Sequence, residues 1–160
     1  MNDCVVHGEP NHYVLKSGDL LKIDAGLVYE KGYSDSALSV VIGGEMANPL
    51  AYDLVSVNKE ALDRGIETIV PYQAMFPYGA KVATIVEQAG YKVLKHLTGH
   101  GVGIDVHEKP YVFNYGHQEM KKQVYHPGMV LCFEPIIAVM SDDFYQKEGD
   151  EGMYTKHGDL

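Results

Sequence analysis

Apolar and polar residues alternate with a period of two through residues 20–30 (LLKIDAGLVYE) and 33–42 (YSDSALSVVI), and both stretches read as β-strands. Lys31-Gly32 supplies a turn between them, so the pair predicts an antiparallel hairpin bending near Tyr29 to Gly32. The period then becomes helical. Leu50, Leu54, Val57, Ala61, Leu62 and Ile66 recur at helix spacing, Asn48 stands where a cap belongs, and Pro49 suits the first turn. Pro71 to Gly79 reads as a connection, a second amphipathic helix runs from about Tyr78 to Gln88, and Gly90 follows its end. Strand character returns around Lys92 to Leu97, Val102 to Val106 and Met129 to Met140, whereas the polar stretch SDDFYQKEGDEG (141–152) reads as a loop. Strand pairs beside paired helices predict an α+β domain.

Composition narrows the class. A chain of 160 residues is long enough for one domain that buries ~70% of its unfolded surface. A net charge of −9 and a pI near 5.2 argue against a nucleic-acid partner, which would need a basic face. Two cysteines, Cys4 and Cys132, make no disulfide framework and read as reduced thiols in a cytosol. The start MNDCVVHGEP has no basic or apolar targeting region, and no stretch approaches ~18 continuous apolar residues. The expected setting is cytoplasmic, with no membrane.

Four residues carry candidate chemistry. Asp24 and Asp35 are an odd number apart, so on one continuous strand they would face opposite ways. The predicted hairpin puts them directly across from each other on one face. Two solvated aspartates on a surface hairpin are the competing reading. Asp24, however, lies among Leu21, Ile23, Ala25 and Leu27, where an unpaired carboxylate is costly. His100 sits in Gly99-His100-Gly101-Val102-Gly103, a context that serves a loop as readily as a ligand, and no βα unit makes it a dinucleotide fingerprint. Seven residues on, His107 opens the run HEKP, again at odd spacing. Glu134 precedes Pro135 and is flanked by Leu131, Cys132, Phe133 and Ile136, so it is a carboxylate in an apolar strand or one on that strand's wet face. Two aspartates, an imidazole and a glutamate form a donor set for hard or borderline divalent cations, and such a cation lowers the pKa of bound water toward ~7.

The run VVHGEPNHYVLKSGDLLKIDAG, the aspartate in GYSDSALSV, the segment GHGVGIDVHEKP and the tripeptide FEP occur in that order. Together they resemble the bacterial type I methionine aminopeptidases of metallopeptidase family M24, from Asn2 to about Val139. The resemblance implies the pita-bread fold, a curved, mostly antiparallel sheet with helices on its outer face. It implies metal-dependent removal of N-terminal methionine from nascent proteins, with those peptides as substrates and the ribosome as a candidate partner. Asp24, Asp35, His100 and Glu134 become ligands of two divalent cations, whether cobalt, manganese, iron, zinc or nickel. Glu134 becomes the base for the attacking water, His107 a donor to the substrate carbonyl, and His7 a contact near the scissile bond. The remaining histidines, His12, His96, His117, His126 and His157, read as surface residues.

The chain also departs from the pattern. A later bridging glutamate in a Phe-Glu-His context has no counterpart, since Glu148 and Glu151 lie in the polar stretch, and Val106 stands where an aromatic residue precedes the HExP histidine. The expectation is one incomplete catalytic domain, residues 1–160, lacking the N-terminal helices and the final ligand-bearing strand. Two other functions stay open: an Xaa-Pro hydrolase of the same fold, against which the His-Gly-x-Pro form at 7–10 argues, and a metal-site fragment that binds without turnover.

Overall fold

The computed structural model describes all residues from Met1 to Leu160. In chain order the elements are β1 (Cys4–Val6), β2 (Leu20–Tyr29), β3 (Gly32–Val41), α1 (Pro49–Ile66), α2 (Phe76–Gln88), β4 (Lys92–Val93), β5 (Thr98–Gly101) and β6 (Glu108–Phe113). A 3₁₀ turn at Gln118–Lys121 precedes β7 (Ile137–Ala138), β8 (Phe144–Gln146) and β9 (Met153–Thr155). Every strand pair is antiparallel: β2 with β3, β4 with β7, β5 with β6, and a three-stranded sheet in the order β1-β9-β8. No helix is long and apolar enough to cross a membrane.

The hairpin forms where alternation placed it, but its register differs from the expected one. The loop is Glu30-Lys31, with Glu30 at φ 54°, and it sets Tyr29 opposite Gly32. That offset carries along both strands, so Asp24 faces Ala37 and Asp35 faces Gly26. The two aspartates share a face yet stand diagonally, two residues out of step, instead of directly across.

Asn48 caps α1 as its position implies: Oδ1 accepts from the Ala51 amide at 3.1 Å, and Nδ2 donates to the Gly18 carbonyl at 2.9 Å. The buried stripe of α1 is Ala51, Leu54, Ala61 and Gly65, whereas Leu50 and Ile66 are exposed. Close packing explains the rotation. A Cβ on Gly65 would lie 2.9 Å from both Tyr78 and Val82 of α2, so the contact line selects small residues over the larger apolar ones beside it. The second helix starts at Phe76, so the connection read through Gly79 is shorter than expected. Gly79 is itself a helix residue, and a Cβ there would strike the Phe113 and Tyr115 carbonyl oxygens at 2.5 and 2.3 Å.

Strands after α2 are shorter than alternation implied. The ladder at 92–97 stops at Val93, and Val102 to His107 is a loop, because the glycines of 99–103 let the chain bend away after Gly101. Only Ile137–Ala138 of the stretch 129–140 lies in a named strand. Residues 130–132 still run along β5, with Cys132 and His100 exchanging amide bonds at 2.7 and 3.2 Å and the Val102 amide donating to Val130 at 3.1 Å. Pro135, without an amide hydrogen, cannot continue that pairing. The polar stretch read as a loop contains β8, which pairs with β9 beside β1. A three-residue strand, Phe144-Tyr145-Gln146, inside charged sequence is too short to show a period. His117, read as a surface residue, caps the 3₁₀ turn and stacks on Phe113 with ring centroids 3.8 Å apart.

The core joins Leu20, Leu54, Tyr78, Val82, Val86 and Val112 across hairpin, helices and β6. Leu131, Phe133, Ile137 and Val139 pack against it, which leaves Cys132 and Glu134 on the opposite side of their segment.

Candidate metal centre

Three elements deliver donors to one point. Asp35 comes from β3, His100 from β5, and Cys132 with Glu134 from the segment beside β5. One donor atom from each lies within 4.8 Å of all the others. His100 is buried, with its side chain 5% exposed, against 16% for Asp35 and 32% for Glu134. Two asparagines, Asn114 buried and Asn58 half-buried, hold the backbone of the glutamate segment. Asn114 Nδ2 donates to the Glu134 carbonyl at 2.6 Å while its Oδ1 accepts from the Tyr78 hydroxyl at 3.1 Å, and Asn58 Nδ2 donates to the Pro135 carbonyl at 2.9 Å.

The hydrogen bonding of His100 decides what the cluster can do. Nδ1 lies 2.9 Å from the Gly101 carbonyl oxygen, which can only accept, so Nδ1 carries the ring proton. In the neutral ring Nε2 is then a bare lone pair, and it faces Glu134 Oε1 at 3.1 Å and Asp35 Oδ2 at 3.5 Å. Glu134 Oε1 is buried and makes no hydrogen bond. Three electron-rich atoms pointing at one another are repulsive until a cation or proton sits between them. Carbonyl-anchored imidazoles with the other nitrogen turned toward carboxylates are the arrangement that holds divalent metals. The residues present fit such an ion.

Electrostatics agree. Burial, reinforced by the charges of Asp35 and Asp24 and opposed by His100, holds the Glu134 carboxyl well above the usual carboxylate range. Burial, with Asp35, Glu134 and Asp24 adding to it, pushes the Cys132 thiol up to about 11. The site is over-supplied with negative charge and lacks a fixed cation of its own.

Asp24 stands apart. It is close enough to act on Glu134 and Cys132 through its charge, but it is exposed and outside the set of mutual donors. The apolar neighbours expected to bury it do not, since Ile23 and Leu27 are themselves exposed. His107 comes to the site despite its odd spacing from His100, its ring packing edge-on with centroids 4.4 Å apart. Glu108 closes the intervening loop, its Oε1 accepting from the Ile104 and Asp105 amides at 2.7 and 2.9 Å. His7 stands exposed beyond β1 at φ 58°, outside the cluster, and Glu148 and Glu151 are exposed and outside it too. Cys132 is the member that sequence reasoning passed over. Its position two residues before Glu134 on an extended segment was the available signal. A concavity of about 470 Å³ lies elsewhere, lined by Glu60, Arg64, Glu67, Thr68, Lys81 and Ile85.

Known proteins share this arrangement of elements. The chain is 38% identical over 138 residues to a methionine aminopeptidase of Mycoplasma capricolum, covering 86% of this chain and 54% of that protein. It is 33% identical over 162 residues to one of Aquifex aeolicus, covering 100% of this chain and 62% of that protein. The crystal structure of methionine aminopeptidase from Thermotoga maritima superposes with a TM-score of 0.91 at 32% identity, covering 99% of this chain and 63% of that one. The fold is the pita-bread fold, and the chain spans between half and two-thirds of the length of these relatives. Residues 1–158 match the family description Metallopeptidase family M24, and with the fold in agreement over nearly every residue, the chain belongs to that family.

Proposed function

We propose that residues 1–160 form one catalytic domain of a metal-dependent aminopeptidase that removes N-terminal methionine from polypeptides emerging from the ribosome. The observation that carries this reading is the His100 imidazole, tied at Nδ1 to Gly101 and turned at Nε2 toward Glu134 and Asp35. The relatives' names support the substrate class. Asp35, His100 and Glu134, with Asp24 on the same hairpin face, are the residues to hold two divalent cations. When bound, those cations acidify a water and polarise the scissile carbonyl. Glu134 takes the water's proton and returns it to the leaving amine. His107 donates to the carbonyl oxygen as negative charge grows on it. His7 contacts the substrate near the bond that breaks.

Steady-state hydrolysis of Met-Ala-Ser and of Ala-Pro by the metal-replenished chain tests this. Turnover of Met-Ala-Ser alone, lost in Asp24→Asn and His100→Ala, is the expected result. Preferred cleavage of Ala-Pro would make the chain an Xaa-Pro hydrolase. Stoichiometric metal with neither turnover would make it a binding module.

A further inference from the structure

The Cys132 thiol is unused by that mechanism. It is free, and its sulfur is one of the four donors lying within 4.8 Å of one another. Two features hold it there. Its amide and carbonyl are locked to His100 at 2.7 and 3.2 Å, and its neighbour Phe133 packs on Tyr78 in the core with ring centroids 4.8 Å apart, which turns the flanking side chains toward β5.

Donor spacing can be compared with what one ion needs. Four donors ~2.0–2.3 Å from a common centre in a tetrahedron lie ~3.3–3.8 Å from one another. His100 to Asp35 at 3.5 Å lies within that range, and His100 to Glu134 at 3.1 Å falls just short of it. The widest separation in the set, bounded by 4.8 Å, closes to it with a shift of about 1 Å, within reach of side-chain rotation.

We propose that Cys132 is a thiolate ligand of this centre, giving it a sulfur, nitrogen and oxygen donor set that favours zinc and cobalt over manganese. The proposal rests on reading Asp35, His100 and Glu134 as ligands. Ligation forms a sulfur–metal bond and breaks the S–H bond, the proton leaving to solvent. Thiolate softens a site that two carboxylates and an imidazole alone would leave open to manganese.

The test is a cobalt(II) titration of the chelator-stripped full chain, followed by absorption. A thiolate-to-cobalt charge-transfer band in the near ultraviolet is expected in the wild type and in Cys4→Ser, and its loss in Cys132→Ser. Competition titration should show Cys132→Ser losing zinc-over-manganese selectivity by at least the ~10-fold that disturbing a metal's outer shell costs. Should Cys132→Ser fail to fold, alkylation of Cys132 in the Cys4→Ser chain gives the answer, with protection by zinc expected. Cobalt bound without the band, a band surviving in Cys132→Ser, or alkylation unaffected by zinc would overturn the thiolate ligand and leave the carboxylate–histidine reading standing. Failure of the wild type to bind cobalt at all would overturn both.

Discussion

Gly99 and Cys132 approach so closely that a Cβ on Gly99 would lie 2.2 Å from the Cys132 carbonyl oxygen. No side chain fits there, and the approach is what lets the glutamate segment hydrogen-bond to β5 one residue away, at His100. Gly99→Ala should therefore push the segment carrying Cys132 and Glu134 off the imidazole. An overpacked contact costs about 1–3 kcal/mol. Urea denaturation should show a loss of that order, and calorimetric titration should show zinc affinity falling along with it. Unchanged affinity in a destabilised protein would separate the packing role of Gly99 from the geometry of the centre.

Asn114 offers a second lever from the opposite side. It is fully buried, takes the Tyr78 hydroxyl on its oxygen, and gives its amide to the Glu134 carbonyl. Asn114→Ala leaves both groups without that partner, and each buried polar group so orphaned costs about 1–3 kcal/mol. Asn114→Asp keeps the acceptor for Tyr78 but withdraws the donor to Glu134. Thermal unfolding should rank the wild type above both variants. Metal retention after dialysis should fall in both, because the Glu134 carboxylate is aimed by its own backbone.

How far such a site can be read from sequence depends on the length of the signal. The β2–β3 hairpin and α1 were legible because ten and eighteen residues repeat one period and bring their own turn or cap, as Asn48 does. Register was not, since moving a two-residue loop by one position shifts every pairing by two: Glu30-Lys31 puts Asp24 opposite Ala37, whereas Asp24 opposite Asp35 would need Tyr29-Glu30 as the loop. Asp35, His100 and Glu134 were legible as types in suggestive contexts, but their convergence depends on three segments meeting, which no local pattern encodes. Cys132 was hidden because a thiol in an apolar strand looks like any small core residue. The apolar run around Asp24 misled for the converse reason: alternation reports that a strand has a face, not what covers it, and Leu27 and Tyr29 are 71% and 80% exposed.

His107 and Glu108 separate contact from positioning. His107 packs against His100 and is the proposed donor to the substrate carbonyl, whereas Glu108 acts through the loop it closes. Removal of one donor to a developing oxyanion lowers kcat by ~10²–10³-fold. His107→Ala should show a kcat loss of that size with KM little changed. Glu108→Gln keeps an acceptor oxygen for the Ile104 and Asp105 amides and should lose much less, while Glu108→Ala, with the loop released, should approach His107→Ala. Equal losses in all three Met-Ala-Ser assays would show that the Glu108 charge, not the loop geometry, matters.

Lys22 provides a pH test away from the metal centre. Its Nζ donates to the carbonyls of Asn2 and, at 3.0 Å, of Cys4, and burial, opposed by the charges of Cys4 and Asp3, lowers the amine to about 8 from 10.5. Between those two values the unfolded chain holds a proton that the folded chain has lost, so stability rises with pH across the window. Below pH 8 both states are charged and the desolvation cost is felt in full; above about 10.5 both are neutral and it is gone. The stability difference between wild type and Lys22→Met isolates this contribution, measured in a Cys4→Ser background to remove the neighbouring ionisable thiol. From pH 7 to pH 10 wild type should gain on Lys22→Met by on the order of 1–3 kcal/mol. A difference flat with pH would mean that the amine reaches water, and that the contact between β1 and the start of β2 is looser than these hydrogen bonds imply.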